Sequence, residues 1–576
     1  MCGILYHYSQ SGSFEGKVVD IVDIDAVIAK DLASDQSSSS VGTTFDSLIP
    51  KILARGSDYC NYLNGKHDND QFGSFELFSS VLSLRPPLTE QPFIKDDRYI
   101  IQFNGELYND EIDSNGIHSN DILFIYNKLI EYNDDLLKVI GEIHGEFAYC
   151  IFDKLRGKVY FGKDSLGKKS LCYTVGGGEL IVSSCMPDDS EVKETFIECK
   201  NAIVYTYDLQ SNEINMLPFN KSDKLPNGYI VSNFESTSQS NDLINILEKE
   251  LTKSIKSRIE TIFPINPSHS KFGVLFSGGI DCTLLTAIAA SISSSSGTAI
   301  DLLNVSFSNP RTGLKPSETP DRKLALKSWI NLQLAYPNVE FNLIECDIPY
   351  EEYLKHKPRV IKLIYPNDTE MDLSISIAFY FASRGIGNKV ILNPNETNLD
   401  NFERIPYHSQ CKVLLSGLGA DELFGGYTRH ERIFTPISNQ LKRSLKNKPV
   451  VDFNEYDLKQ LNIELTDELQ LDLDNLHSRN LSRDDKVIST WSKELRYPFL
   501  DHDFIKFTTS SIPIDFKTRY IVETGEIIRK FALRQLAKTL KLDWIINEPK
   551  RAVQFGSKSA KMEIGTSKLK GTDKIT

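Results

Sequence analysis

Residues 271–287 read KFGVLFSGGIDCTLLTA. Phe272 to Phe276 is apolar apart from one glycine and reads as a buried strand. Ser277-Gly278-Gly279 is a small, flexible turn. From Cys282 onward, CTLLTAIAASI reads as a mostly apolar helix. Strand, glycine-rich turn and helix is a geometry that holds a phosphate chain. The turn presents backbone N–H groups, and the helix N-terminus adds about half a positive charge. Two glycines let the backbone approach an anion closely. Asp281, at the helix start, is placed to hold a Mg²⁺ that bridges phosphates.

The stretch is not a Walker A loop, because GxxxxGK[ST] is missing, and GxGxxG is missing too. S-G-G-x-D after a strand resembles the pyrophosphate loop of the N-type ATP pyrophosphatases, which cleave ATP to AMP and pyrophosphate while adenylating a substrate. Alone the motif is short, and a plain turn between strand and helix accounts for it equally well.

The 576 residues allow two or more domains with their own cores. With 40% hydrophobic and 25% charged residues, the chain has a soluble globular composition. A formal net charge of −13 argues against general nucleic-acid or anionic-membrane binding. No apolar run spans a bilayer, and MCGILYHYSQSGS lacks the basic start and apolar run of a secretory signal. Nine scattered cysteines without a CxxC suit reduced thiols in a cytoplasmic protein.

Cys2 is the next candidate. Removal of Met1 is expected beside a small side chain, and it leaves a thiol next to its own α-amine. That pair can serve as nucleophile and base. By position alone an ordinary buried cysteine explains it better. Then come Arg55-Gly56-Ser57-Asp58, Asn104-Gly105-Glu106-Leu107-Tyr108-Asn109 after a strand-like run, Asp121, GEFAYCIFD (145–153) and GKDSLGKKSLCY (162–173). In this order these segments resemble the class II, N-terminal-nucleophile glutamine amidotransferase domain of the asparagine synthetase type.

That resemblance implies roles. Cys2 attacks the glutamine side-chain amide, and Asn104 with the Gly105 N–H stabilises the oxyanion. Arg55 pairs with the α-carboxylate, while Asn104, Glu106 and Asp121 complete the glutamine site. Lys163 and Ser170 depart from the family's usual Arg and Pro, in an element expected to bear on packing. Residues 2–220 form this domain, an αββα fold with helical pieces such as Asp121 to Glu131. The polar tract around Ser37 to Ser40 is a loop, and 221–241, polar with Pro226 and Gly228, is a linker.

Residues 242–576 alternate strands and helices, which predicts a doubly wound parallel sheet with a helical part. Expected elements are a helix Leu243 to Ile262, strands Leu302 to Phe307 and Val339 to Cys346, and helices Arg322 to Leu334 and Met371 to Gly385. The strand Cys411 to Ser416 runs into Gly417-Leu418-Gly419-Ala420-Asp421-Glu422. Ligands sit beyond the C-terminal strand ends of such sheets, so the two glycine-rich turns should face one site. S-G-x-G-A-D-E-x-x-G-G-Y resembles the second signature of asparagine synthetases. Glu494 to Asp501 (ELRYPFLD) and Pro549 to Gly556 (PKRAVQFG) extend the likeness over nearly the whole chain. The nearest subgroup is that of the eukaryotic asparagine synthetase domain-containing proteins.

The likeness implies ATP and Mg²⁺ as cofactors. ATP meets Phe276, Ser277, Gly278, Gly279, Asp281, Phe307, Ser416 and Gly417, and the metal meets Asp281 and Asp421. Glu370, Asp372, Lys550 and Arg551 are candidates for the acceptor site. Glutamine and a carboxylate acceptor, with aspartate the first candidate, are the implied substrates, and a homodimer is allowed. Three departures touch the chemistry. Cys282 replaces a Ser, which costs a strong donor to the pyrophosphate unless Thr283 substitutes. Leu418 replaces a Glu that would order the acceptor or take a proton from ammonia. Lys550-Arg551 is offset from the usual basic residue, and Asn388 to Gln410 looks inserted. Three readings stay open: a glutamine-hydrolysing, ATP-dependent amidotransferase, a degenerate synthetase that binds ligands in a regulatory role, and a sibling synthetase with another acceptor, against which an intact Cys2 counts.

Overall fold

The structure is a computed structural model. It describes the chain except residues 1, 22, 34–42, 67–72, 115–119, 220–227, 237–239, 264–269, 295–296, 394–400, 448–454, 564, 566–568 and 576. The Ser37–Ser40 tract and about half of the expected linker lie outside the described residues.

Two six-stranded antiparallel sheets build the N-terminal part. The strand Cys2–Ser9 runs between Ser74–Val81 and Glu179–Ser183, with Leu5 opposite both Phe78 and Ser183. In the second sheet Tyr99–Leu107 pairs with Gly145–Asp153, placing Gly105 opposite Phe147. Side chains alternate along each strand. Ile4, Tyr6 and Tyr8 therefore meet Ile100, Cys150 and Phe152 between the sheets. Leu5 faces outward onto the helix Thr44–Leu53. Tyr99, Ile101 and Phe103 face outward onto the helix Asp121–Glu131. The four layers are helix, sheet, sheet, helix, as expected. Cys2 has the parity of Ile4, and Asn104 that of Ile100, so both point between the sheets.

The C-terminal sheet has seven strands. Five are parallel, in the spatial order Phe341–Ile348, Ile300–Phe307, Phe272–Leu275, Val413–Leu415, Glu494–Arg496. The order of connection reverses between Phe272–Leu275 and Val413–Leu415, and the two glycine-rich turns leave from that switch point. The helices Ile280–Ser293, Pro320–Ala335 and Glu370–Arg384 cover the sheet. Thr428–Asn447, Glu455–Leu476 and Ser482–Ser489 form the helical part.

The expected insertion at Asn388 to Gln410 is an edge hairpin, Ile386–Val390 with Arg404–His408, antiparallel to the rest. It carries Arg404, which bonds the buried Glu345 at 2.6 Å. Part of the expected linker is docked: the Val231 N–H donates to Gln470 at 2.9 Å. Among the described residues no helix is long and apolar enough to cross a membrane.

Candidate active sites

Cys2 starts its strand and is 7% exposed. Its backbone N–H donates to Asn104 Oδ1 at 2.9 Å, and its Sγ accepts from Gln91 Nε2 at 3.1 Å. Gln91 is itself pinned to Phe103 by two backbone bonds of 3.0 and 2.8 Å. Burial pushes the thiol's pKa up, and the Glu494 and Asp121 carboxylates add to this.

The Asn104 amide is oriented by its accepted bond, yet its Nδ2 is buried and has no partner among the described residues. An orphaned buried donor costs about 1–3 kcal/mol, so its place beside a thiol marks a seat for an incoming oxygen. Gly105 has φ +143°, and a Cβ there would lie 1.9 Å from the Glu146 carbonyl oxygen. Only glycine lets the strand pass at this point.

Glu106 and Asp121 line the same small pocket, and so does Arg85. Arg85 lies 2.7 Å from Glu106 and 3.5 Å from Asp121. Burial, then the Asp121 charge, lift Glu106 to a pKa of about 7, against the pull of Arg496 and Arg85. Burial also raises Asp121. The open space is only about 40 Å³, because Arg85 and the two carboxylates close on one another.

Arg55 is not in this pocket, which corrects the expectation of a glutamine clamp there. It is fully buried at the boundary with the C-terminal half, 2.8 Å from Asp485 and 2.6 Å from Ser489. Ser170 also bonds Asp485, through its N–H at 3.0 Å and its hydroxyl at 2.7 Å. Lys163 and Lys486 share Glu198, at 3.5 and 2.9 Å. The two family departures thus belong to the contact between the halves.

The second site is a cavity of about 600 Å³ at the switch point. Phe276, Ser277, Gly279, Asp281, Ser416, Gly417, Asp421, Lys550 and Arg551 all line it. Gly279 caps the helix Ile280–Ser293 without a side-chain bond, so that helix end presents free N–H groups. Gly278 (φ +76°) backs onto Pro320–Ala335, where a Cβ would come within 2.6 Å of the Ala325 nitrogen.

Asp281 and Asp421 converge on one ammonium. Lys530 Nζ is 2.6 Å from Asp281 Oδ2 and 2.6 Å from Asp421 Oδ1. Lys550 adds a 2.5 Å contact to Asp421. Burial opposes ionisation of Asp421, but the two lysines hold its carboxyl well below the usual carboxylate range. Two hard carboxylates that already seat a cation between them fit a Mg²⁺ completed by phosphate oxygens and water.

Several expected residues stand elsewhere. Phe307 is wholly buried, its ring against Tyr353 and Phe381. As the last residue of its strand it points into the core instead of the cavity. Thr283 is also wholly buried on its helix, so it does not replace the missing serine. Cys282 reaches the cavity, with its thiol 3.6 Å from Ser277 Oγ. Glu370 is off the cavity, its pKa raised by burial against the pull of Lys357. Asp372 lines the cavity but is locked by Arg483 at 2.8 Å and Thr369 at 2.5 Å. Leu418 stands on the wall, and Asp321, lifted by burial to about 7, stands on it too.

A model of the glutamine amidotransferase domain matches residues 80–188, and one of asparagine synthase matches 402–569. The asparagine synthetase domain-containing protein YML096W of Saccharomyces cerevisiae is 41% identical, covering 100% of this chain and 98% of that one. The chain belongs to the asparagine synthetase domain-containing protein family. Human asparagine synthetase domain-containing protein 1 is 27% identical over 84% of this chain and 88% of its own. Asparagine synthetase (glutamine-hydrolyzing) 1 of Bacillus subtilis is 22% identical over 68% of this chain and 58% of its own.

Membership leaves the site residues to geometry, and geometry adds four that sequence reasoning missed. Arg85 and Gln91 sit in SLRPPLTEQP, a stretch whose prolines read as a turn. Lys530 lies inside an amphipathic run, EIIRKFALR, where a lysine reads as solvated. Arg496 was visible only as part of a motif. Its guanidinium reaches Glu106 Oε2 at 3.1 Å across the boundary between the halves.

Proposed function

We propose that the chain is a glutamine-dependent, ATP-consuming amidotransferase with two units, residues 2–220 and 242–576. The observation that carries this reading is the oriented, partnerless Asn104 Nδ2 beside Cys2, in the same chain as a 600 Å³ cavity built on two glycine turns.

Cys2 Sγ attacks the side-chain amide carbon of glutamine, and the developing oxyanion takes Asn104 Nδ2 and the Gly105 N–H. The Cys2 α-amine, once Cys2 is the first residue, takes the thiol proton and passes it to the amide nitrogen, which leaves as ammonia. Water then hydrolyses the thioester to glutamate. Arg85 takes the α-carboxylate, the role first expected of Arg55, and Glu106 and Asp121 take the α-ammonium. The ligand's two charges would replace the contacts that Arg85 and the carboxylates now make with each other, which opens the closed pocket without leaving a buried charge unpaired.

In the second site the Ser277–Gly279 turn and the following helix end hold the phosphates. A carboxylate oxygen of the acceptor attacks the α-phosphorus and displaces pyrophosphate. Ammonia then attacks the acyl carbon, and AMP leaves. Mg²⁺, held by Asp281 and Asp421, supplies neutralisation of the phosphate charge when bound. Lys530 and Lys550 hold the Asp421 carboxylate ionised.

The test is glutamine labelled with ¹⁵N in its amide, supplied with Mg-ATP and aspartate. Label in an amide product with equimolar AMP is expected. Absence of AMP with a panel of carboxylate acceptors, while Mg-ATP binds, would sink the reading. Leu418 on the cavity wall favours one alternative, a ligand-binding regulatory homologue, and failure of the wild-type chain to hydrolyse glutamine would select it.

A further inference from the structure

Addition of ammonia to an acyl carbon makes a demand that neither glycine turn meets. The nitrogen becomes cationic as its bond to carbon forms, and it must lose a proton before a neutral amide can be left behind. The cavity therefore needs a base. Leu418, on its wall, offers none.

Nearly every carboxyl on that wall is already engaged. Lys530 and Lys550 hold Asp281 and Asp421. Arg483 holds Asp372 and Asp484, each at 2.8 Å. His430 bonds Asp472 at 2.9 Å, Tyr427 bonds Glu422 at 2.5 Å, and Lys327 bonds Glu548 at 2.8 Å. Among the described residues, Asp321 is the one carboxyl of the cavity wall with neither a hydrogen bond nor an ion pair. It is not a solvated surface group, being only 4% exposed. A buried polar group left without a partner costs free energy, so its retention here asks for a ligand.

Its place is fixed from two sides. The Asn304 amide donates to the Phe276 carbonyl at 2.9 Å and to the Asp321 carbonyl at 3.5 Å. Ser328 Oγ donates to the Gly278 carbonyl at 2.8 Å. The helix Pro320–Ala335, with Asp321 in its first turn, is thus tied to the phosphate turn at two points. On the other side the carboxyl lies on Gly556, where a Cβ would come within 1.9 Å of Oδ1 and 2.1 Å of Cγ and Oδ2. Only glycine admits the carboxyl there. Burial lifts the Asp321 pKa to about 7, against the pull of Arg551, Lys550 and Lys558. A base that takes a proton at neutral pH works best near that value.

We propose that Asp321 is the base of the amide-forming step, its carboxylate taking the proton from the nitrogen once ammonia has attacked the acyl carbon. This rests on the amidotransferase reading, since it takes an acyl adenylate as the species attacked. The nitrogen lone pair forms the C–N bond and the carbonyl pair moves onto oxygen. Asp321 takes one N–H proton. As the carbonyl re-forms, the C–O bond to the phosphate breaks and its electron pair leaves with AMP. The proton on Asp321 passes to water when the products depart.

The experiment uses full-length chain with Mg-ATP and ¹⁵N-ammonium chloride in place of glutamine, first with aspartate and then with the same panel of carboxylate acceptors. Two readouts are taken on each variant. Exchange of labelled pyrophosphate into ATP reports formation of the adenylate, and labelled amide reports the step after it. Asp321→Asn, which keeps the shape of the side chain, should leave exchange within about twofold of wild type and lower amide formation by about 100-fold or more. Gly556→Ala puts a methyl where the carboxyl lies. It should give the same split without removing a charge, which keeps the test open if Asp321→Asn fails to fold. Unchanged amide formation in Asp321→Asn overturns the proposal, and so does an equal fall in exchange and amide, the mark of a residue that binds substrate or holds the fold. Wild-type chain that neither exchanges pyrophosphate nor forms amide with any acceptor defeats the amidotransferase reading and this proposal together. Exchange in wild type, with amide formation indifferent to Asp321, defeats the proposal alone.

Discussion

At the scale of single residues, the two arginines separate cleanly. Arg85 shares a pocket with Cys2, whereas Arg55 is buried against Asp485. Hydrogen bonds to charged groups contribute about 1.5–3 kcal/mol, so Arg85→Lys should raise KM for glutamine by about 10–100-fold. Arg55→Lys should leave that KM unchanged while lowering the melting temperature. Steady-state glutaminase assays with thermal melts decide it, and a KM effect confined to Arg55→Lys would restore the first assignment. Asn104→Ala is the partner experiment. Its Nδ2 meets an oxygen that carries charge only in the transition state, so kcat should fall by about 10²–10³ with little change in KM. An unchanged kcat would remove Asn104 from the oxyanion site.

At the scale of elements, two glycine turns and one buried lysine set the second site. The helix Ala420–Phe424 carries Asp421, and Lys517 lies beneath it, donating to the Leu423 and Thr508 carbonyls at 2.9 and 2.8 Å. Burial alone lowers Lys517 to about 7. A lysine with a depressed folded pKa binds fewer protons folded than unfolded between pH 7 and about 10.4. Stability from this group therefore rises with pH across that window, by up to about 1.4 kcal/mol per unit. Urea unfolding at stepped pH should show that rise in wild type and a flatter profile in Lys517→Met. A matching slope in both would deny the buried lysine this role.

Much of this element structure could be read from the chain. Strand, glycine turn and acidic helix start recur at Ser277 and Ser416, and each turn demands its residues locally. The helix Asp121–Glu131 was expected from the family resemblance. What stayed hidden depends on partners remote in sequence. Arg55 in RGSD looks like a binding motif until Asp485, 430 residues away, is beside it. Arg85 and Lys530 show no local sign of their targets. The 388–410 stretch read as a loop because its two short strands are polar and pair at a sheet edge, where one face stays in water.

At the scale of the whole molecule, buried ion pairs cross between the halves. Arg55 meets Asp485, Arg496 meets Glu106, Arg258 meets Glu146 at 2.9 Å, and Lys486 meets Glu198. A buried ion pair adds little when replaced whole by apolar groups, yet losing one partner costs about 3–5 kcal/mol, because the other charge is left unpaired. Each half therefore carries charges that the other half helps to satisfy, and the two should unfold together. All three tryptophans, Trp329, Trp491 and Trp544, lie in the C-terminal half, so their fluorescence follows that half while circular dichroism follows both. Coincident urea transitions are expected in wild type. Arg55→Met should lower stability by about 3–5 kcal/mol and separate the two curves, and Arg55→Met with Asp485→Leu should bring them back together. The same pairing sets an acid limit. Burial raises the Asp485 pKa, but Arg55 and Lys169 outweigh it and hold the carboxyl below its usual value. Its contribution is full above the unfolded pKa of about 3.9 and is lost as pH falls through the lower folded value. The curves of wild-type chain should accordingly begin to part below about pH 4, whereas the doubly substituted chain, with no charge at either position, should lose that part of the pH dependence.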